Sequence, residues 1–112
     1  MTQHDELCKI DQLFSYLGEN TPKQAAAFSE LMNAIETTGK VPATTKEAVA
    51  LGIAITSQCK GCIAFHTKKA LDCGLSPEEI LEVAWVAVLM GGGPALVHLS
   101  HVKEALEEFS HG

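Results

Sequence analysis

The side chains best suited to chemistry lie in one ten-residue segment, Ser57 to His66, which reads SQCKGCIAFH. Two cysteines separated by two residues can close a small disulfide ring or bind a metal ion. The histidine follows the second cysteine by four residues, so both fall on the same face of a helix. Two thiols and a base are the minimum equipment for reversible thiol redox chemistry.

The position of this segment along the chain favours reactive thiols. The polar residues Thr56 to Gln58 are expected to end one helix, which places Cys59 and Cys62 in the first turn of the next. Backbone N–H groups and the helix dipole stabilise a thiolate there, whereas an ordinary cysteine has a pKa of ~8.5. Gly61 removes bulk between the two sulfurs, and Lys60 adds a positive charge that we expect to be solvated.

An acid on the preceding helix, Glu47, is the candidate partner for the base. Its position also fits a purely structural role in capping its own helix. A continuous helix would separate Glu47 from Cys59 by about 18 Å. If the chain turns back near Ser57, however, the two helices run antiparallel and Glu47 lies level with His66. A carboxylate there would orient the imidazole, which predicts a relay from Glu47 through His66 to Cys62 and then Cys59.

A zinc site is the main alternative for the same residues. Cys59, Cys62, His66 and Cys73 have a suitable ligand count, but all zinc ligands must converge on one point. Cys73 follows Cys62 by eleven residues, which is about 16 Å along a helix. Cys73 is therefore excluded, and a zinc site that uses only the other three residues remains open.

The other cysteines and two further histidines carry weaker signals. Cys8 and Cys73 stand alone in helix-like sequence and are interpreted as packed or surface thiols. His98 and His101 are three residues apart beside Glu104. They are interpreted as a weak metal pair, a subunit-interface pair or ordinary polar residues.

Helix-start and helix-stop signals divide the chain into about six predicted helices. Thr21 and Thr44 are predicted N-caps, and Ser76 with Glu79 forms the strongest capping motif. The predicted helices cover about residues 5–18, 21–39, 48–55, 59–73, 77–90 and 95–109, with Gly74 ending the fourth and residues 91–94 breaking the chain before the last. No segment shows sustained strand alternation with hairpin turns, so we predict an all-α fold.

Length and composition narrow the class of protein. A chain of 112 residues with 46% apolar residues predicts one folded domain over residues 1–112. Its 14 acidic and 8 basic residues give a net charge of −6, which argues against binding to nucleic acid or to an anionic membrane surface. The longest apolar run, Val83 to Met90, is shorter than the ~18 residues of a membrane span. The N-terminus has no export signal, so we expect a cytoplasmic protein.

Two of the predicted helices are apolar on nearly every side. These are the helices at 48–55 and 77–90, where Glu82 is the one polar residue after position 79. Such helices need packing partners on every side, but a domain of this size buries only about two thirds of the surface that its unfolded chain exposes. We therefore expect a homo-oligomer.

The spacing of the reactive residues resembles a known family motif. Glu47, eleven intervening residues, the C-x-x-C pair and a histidine after three more residues resemble the redox motif of the AhpD-like, carboxymuconolactone decarboxylase family. The run GLSPEEI at 74–80 and the apolar helix that leads into GGGP at 91–94 resemble the continuation of the same family. The resemblance covers about residues 20 to 109.

This resemblance implies an all-helical bundle assembled as homotrimers or homohexamers, without a cofactor or bound metal. It implies alkylhydroperoxidase, peroxiredoxin-type or disulfide reductase activity, with an antioxidant role. The family's proton relay maps onto Glu47, His66, Cys62 and Cys59. Some members carry a second histidine within the C-x-x-C motif, where this chain has Lys60 and Gly61.

The leading hypothesis is a thiol oxidoreductase in which Cys62 attacks a hydroperoxide or a partner disulfide and Cys59 resolves the product. The resemblance implies re-reduction by a dithiol such as a lipoyl domain or a thioredoxin-like protein. The decarboxylase branch of the family does not depend on a cysteine pair, so a lactone decarboxylase that uses Glu47 and His66 is one alternative. A non-catalytic assembly or metal-binding module is another.

Overall fold

The computed structural model describes residues 2–110, so Met1, His111 and Gly112 lie outside the described residues. Within that range the chain folds into five helices and has no strand, which confirms the all-α prediction. The helices are α1 (Gln3–Asn20), α2 (Pro22–Glu36), α3 (Ala43–Thr56), α4 (Lys60–Asp72) and α5 (Pro77–Phe109). α1 extends slightly beyond the predicted 5–18, and α2 ends before the predicted Gly39.

The last two predicted helices form a single element, α5, rather than two helices with a loop between them. The backbone leaves helical geometry at Gly92, where φ is 72° and ψ is −153°. Residues with a side chain rarely adopt this conformation, so the glycine provides the break. Pro94 then lies at the start of the second half of the helix, where it needs no backbone N–H partner. The position of the break was predicted correctly, but the break is a kink within one helix and not a loop between two helices.

α5 has the length and composition of a helix that could cross a membrane. Its most apolar 18-residue window has a mean hydropathy of 1.8, and 22% of that window is buried inside the molecule. The sequence pattern did not predict such a long helix, because residues 91–94 are typical of a break between two separate helices. Core helices of proteins without a membrane span pass the same test of length and composition.

The core lies between α3, α4 and α5, where small and branched apolar side chains interlock. Its largest fully buried members are Leu51 and Ile55 of α3, Ile63 of α4, and Ile80 and Val102 of α5. α1 lies across α4 and α5, and α2 packs mainly on α1. The outer pair of helices therefore covers one side of α4, the helix that begins at the C-x-x-C motif.

The N-terminus of α1 is fastened to the C-terminal half of α5. The Glu108 carboxylate accepts hydrogen bonds from the backbone N–H groups of Gln3 and His4 at 3.0 and 2.9 Å. The fully buried Gln3 side chain donates to Glu104 at 3.1 Å. A carboxylate at the positive end of a helix is a stabilising arrangement, so this contact fixes where α1 crosses α4.

One predicted N-cap is wrong, and another is at the predicted residue but lacks the capping hydrogen bond. The Thr44 motif does not form, because α3 starts earlier, at Ala43, whose N–H is bound by the Thr38 side chain at 2.9 Å. Thr21 occupies the N-cap of α2, but its hydroxyl donates back to the Leu17 carbonyl at 2.9 Å and caps nothing.

The capping motif of α5 and the glycine that ends α4 are confirmed. The Ser76 hydroxyl accepts the N–H of Glu79, and the Glu79 carboxylate accepts the N–H of Ser76. Gly74 has a φ of 108° after the end of α4, and the following Leu75 N–H bonds to the Ala70 carbonyl at 3.0 Å.

Candidate active site

Three residues connect α3 to α4 and turn the chain back on itself. The Ser57 N–H donates to the Ile53 carbonyl at 2.8 Å, and the Cys59 N–H donates to the Ala54 carbonyl at 3.3 Å. Between them Gln58 adopts a left-handed φ of 57°, a conformation that costs energy in a residue with a side chain. The short turn makes α3 and α4 a helical hairpin, which is the arrangement that a Glu47–His66 contact requires.

The two cysteines lie at the start of α4 and are joined as a disulfide, with their Cα atoms 5.2 Å apart. Cys59 is the N-cap residue, and its sulfur accepts the backbone N–H of Cys62 at 3.3 Å. Cys62 is exposed and Cys59 is partly buried. Because an N-cap sulfur meets the positive end of the helix, the fold stabilises negative charge on Cys59 after reduction.

The predicted contact between acid and base is present. His66 Nδ1 lies 3.0 Å from Glu47 Oε2, and the two side chains are 22% and 6% exposed. A carboxylate accepts the Nδ1–H and so leaves Nε2 as the nitrogen that takes up a further proton. The hairpin therefore gives His66 a fixed ring orientation one helical turn after Cys62.

Two charged residues that were not predicted from the sequence complete this cluster. The Lys69 ammonium forms an ion pair with Glu36 and lies 3.9 Å from Glu47 Oε1. Lys69 follows His66 by three residues, and this same-face spacing was a usable signal. Glu36 had no signal in the sequence, because its approach depends on how α2 packs against the hairpin.

An apolar pocket of about 310 Å³ opens beside the cysteine pair. It is lined by Ile10 and Phe14 of α1, Phe28, Met32 and Glu36 of α2, and Cys62, Phe65 and His66 of α4. Its volume is at the lower end of the range for small-molecule sites, which are mostly apolar with a few polar groups. A ligand in this pocket would meet the sulfur of Cys62 and the ring of His66.

α1 closes the other side of the cysteine turn. The Lys60 ammonium lies 3.8 Å from Glu6 Oε1, so this charge is placed against α1 and not simply solvated as expected. A Cβ atom added to Gly61 would lie 3.7 Å from the Glu6 carboxylate.

The isolated cysteines lie away from this cysteine pair. Cys8 on α1 and Cys73, the C-cap of α4 at the opposite end from Cys59, are both exposed. The Cys73 sulfur donates to the Ala70 carbonyl at 3.3 Å. Burial raises the pKa of the Cys73 thiol, and the negative charge of Glu47 raises it further. Cys73 is thus a poor candidate for a reactive thiol.

The two histidines of α5 form a close pair without a ligand set. Their ring centroids are 5.5 Å apart, and His98 Nδ1 donates to the Pro94 carbonyl at 2.8 Å. Burial lowers the pKa of His101. Across residues 2–110, no group of three or more His, Cys, Asp or Glu side chains is placed to hold a metal ion.

Comparisons with solved structures agree with this architecture. A carboxymuconolactone decarboxylase family protein from Legionella pneumophila superimposes with a TM-score of 0.91 at 34% identity, over 96% of each chain. A family member from Thermotoga maritima superimposes with a TM-score of 0.83 at 27% identity, covering 96% of this chain and 91% of that one.

Sequence comparisons identify the same family. An uncharacterized protein of Cupriavidus necator is 35% identical over 94 residues, which cover 84% of this chain and 83% of the relative. An uncharacterized protein encoded in the cox locus of Paracoccus denitrificans is 34% identical over 95 residues, covering 82% and 86%. The model of the carboxymuconolactone decarboxylase family matches residues 22–106. The chain therefore belongs to the carboxymuconolactone decarboxylase family.

Proposed function

We propose that this protein is a thiol-dependent oxidoreductase that reduces a hydroperoxide or a partner disulfide with the Cys59–Cys62 pair. One observation carries the proposal: the buried Glu47 holds His66 at 3.0 Å, and His66 and Cys62 line the same pocket. An antioxidative role has been suggested for the Thermotoga maritima family member. A reducing compartment such as the cytoplasm suits a cysteine pair that must return to the dithiol form.

The reaction begins with the reduced pair. His66 takes the proton from the Cys62 thiol, and the thiolate attacks the terminal oxygen of a hydroperoxide. The O–O bond breaks, the leaving alkoxide takes the proton from His66, and an alcohol and the Cys62 sulfenic acid remain. With a disulfide substrate, the thiolate instead attacks one sulfur and forms a mixed disulfide.

The second half of the cycle uses Cys59. Its sulfur attacks the Cys62 sulfur, which forms the disulfide and releases water or the partner's thiol. An external dithiol, such as a lipoyl domain or a thioredoxin-like protein, then supplies two electrons and two protons. When the reductant attacks the exposed Cys62 sulfur, Cys59 leaves as a thiolate that the helix N-terminus stabilises.

Exposure and the pocket favour Cys62 as the attacking cysteine. Cys62 is exposed, lines the pocket and lies one helical turn before His66, whereas Cys59 is partly buried and absent from the pocket lining. The Cys59 sulfur accepts a hydrogen bond from the Cys62 backbone N–H, which stabilises the thiolate. This suits a leaving or resolving thiol, because a stabilised thiolate leaves faster in thiol–disulfide exchange.

The pocket fits a lactone decarboxylase less well. A lactone acid carries a carboxylate and needs a cation to bind it, but the charged group in the pocket lining, apart from a protonated His66, is the carboxylate of Glu36. The nearby Lys69 already faces two carboxylates, Glu36 and Glu47. The apolar walls fit the organic part of a hydroperoxide better.

The test uses the reduced protein in a background that carries Cys8→Ser and Cys73→Ser. One equivalent of cumene hydroperoxide is expected to consume both remaining thiols and to release the alcohol. With an aromatic disulfide as substrate, Cys59→Ser is expected to retain a mixed disulfide on Cys62, detected by intact mass. Cys62→Ser is expected to lose at least about 100-fold in rate, because the remaining Cys59 does not line the pocket that His66 lines.

Two outcomes would change the conclusion. Trapping of the adduct by Cys62→Ser alone would reverse the order of the cysteines. Turnover of a lactone acid by the variant with both Cys59→Ser and Cys62→Ser, without any hydroperoxide or disulfide reduction by the parent, would replace the proposal with the decarboxylase alternative.

A further inference from the structure

We propose that the Glu36–Lys69 ion pair is a positioning device for the proton relay, which fixes the Glu47 carboxylate and sets how readily His66 gains a proton. The purpose of this device rests on the proposed thiol chemistry. Its test does not, because it is carried out on the oxidised protein, where the cysteine pair is inert.

The two oxygens of Glu47 have different partners. Oε2 lies 3.0 Å from His66 Nδ1, and Oε1 lies 3.9 Å from the Lys69 ammonium. Glu47 is 4% exposed, so most of its surface is shielded from water. A buried carboxylate needs compensating charge or hydrogen bonds. A neutral His66 supplies a hydrogen bond, and Lys69 supplies the positive charge.

Lys69 is itself held in place from two sides. Glu36 of α2 pairs with its ammonium, and the ammonium lies 5.2 Å from the centre of the Phe65 ring. Glu36 also lines the pocket that contains Cys62 and His66. The four ionisable side chains therefore form one continuous row across α2, α4 and α3, in the order Glu36, Lys69, Glu47 and His66.

The charges of these side chains determine in which direction each substitution shifts the protonation of His66. Two carboxylates and one ammonium leave one net negative charge, which a protonated His66 neutralises. Removing the ammonium makes the surroundings more negative and favours the imidazolium, whereas removing the Glu36 charge makes them more positive and disfavours it. A pair with a purely mechanical role would not produce opposite effects.

Other titratable groups face the same region and stay unchanged in the two main variants. Asp11 of α1 and the Lys68–Asp72 pair of α4 line a shallow cleft together with Lys69. The Cys73 thiol is close enough to respond to the Glu47 charge.

The experiment is an NMR titration of the His66 ring in the oxidised protein. Relative to the parent, Lys69→Met is expected to raise the midpoint of the His66 titration by about half a pH unit or more, and Glu36→Gln to lower it by a similar amount. The double variant is expected to return close to the parent, and Lys69→Arg to restore the parent midpoint within about 0.2 units.

Lys68→Met is the matched control. Lys68 is the adjacent lysine and pairs with Asp72 on the exposed side of α4, at 3.0 Å. It is expected to leave the midpoint unchanged. Unchanged midpoints in Lys69→Met and Glu36→Gln, or shifts in the same direction, would overturn the inference. Glu36→Gln is nearly isosteric, so it decides the question even if Lys69→Met does not fold. Opposite shifts in a protein that reacts with neither hydroperoxide nor disulfide would support the inference and reject the proposed function.

Discussion

The sequence around Glu47 is compatible with two different roles for this residue. Three residues after Thr44 it resembles an ordinary capping glutamate, but that cap does not form. In the folded chain its carboxylate is buried and faces His66 and Lys69. A buried carboxylate with two cationic or potentially cationic neighbours is typical of a functional site, because burial without such partners would be costly.

Cys73 offers a test of the electrostatic surroundings of Glu47. With Cys59 and Cys62 replaced by serine, we expect iodoacetamide to modify Cys73 at least about three times more slowly than Cys8 near neutral pH. Burial and the Glu47 charge raise the pKa of Cys73, so less thiolate is present. The difference should narrow as the pH rises and more thiolate forms.

The measurement is peptide mass spectrometry over a series of pH values. Glu47→Gln serves as the control and should accelerate the modification of Cys73 while leaving that of Cys8 unchanged. A Cys73 that reacts as fast as Cys8 near neutral pH would contradict this prediction.

At the scale of elements, α1 has more influence on the site than the family match implies. The family model covers residues 22–106, which excludes α1. Yet Ile10 and Phe14 of this helix form a wall of the pocket, and Glu6 lies against Lys60 and Gly61. Part of the pocket wall therefore comes from a segment that the family model does not cover.

The contact between α3 and α5 depends on a glycine just before the kink. A Cβ atom at Gly91 would lie 2.9 Å from the Ala95 Cβ and 3.2 Å from the Thr56 Cγ2. We expect Gly91→Ala to lower the free energy of unfolding by about 1–3 kcal/mol, because α5 must distort near Ala95 and α3 must move at Thr56 to accept the methyl group. Urea unfolding followed by circular dichroism measures the change.

Gly18→Ala, on an exposed face of α1, is the control. Apart from its neighbours along the chain, a Cβ atom there has no heavy atom within 4 Å. The substitution should be neutral or stabilise by up to about 1 kcal/mol, since alanine restricts the unfolded chain. Equal destabilisation by both substitutions would show that close packing at Gly91 is not the cause.

At the scale of the whole molecule, one broad apolar face is left uncovered by the described residues 2–110. Val49 and Ile53 of α3 are 57% and 60% exposed, and Val86, Leu89 and Met90 of α5 are 61%, 80% and 78% exposed. A groove beside Gly52 runs between these two helices, next to the protruding side chains of α5. A groove and a ridge on the same face suit symmetric pairing, so we propose that a second copy of this chain covers it.

Light scattering after size-exclusion chromatography tests this assembly. The parent is expected to elute as an oligomer, and Val86→Lys or Leu89→Lys to give the mass of a single chain, because a buried lysine would be desolvated without a partner. Val41→Lys changes an apolar residue that is 45% exposed in the connector before α3, and it should leave the mass unchanged. A parent that is monomeric, or that binds lipid vesicles through this face, would contradict the proposal.

The amino-acid sequence by itself determined the helical class, the main breaks and the reactive pair with its base. These features depend on local spacing: the two-residue gap between the cysteines, the four-residue step from Cys62 to His66, and the capping residues at Ser76 and Gly74. The Glu47 contact was also predictable, because a hairpin turn near Ser57 fixes which residues lie level.

Tertiary structure alone decided the Glu36–Lys69 pair, the pocket wall supplied by α1 and the placement of Lys60 against Glu6. These contacts join helices that are far apart in sequence, and no local periodicity specifies the angle or register at which such helices pack. That geometry follows from burying the shared core of α3, α4 and α5, a property of the whole chain and not of any one segment.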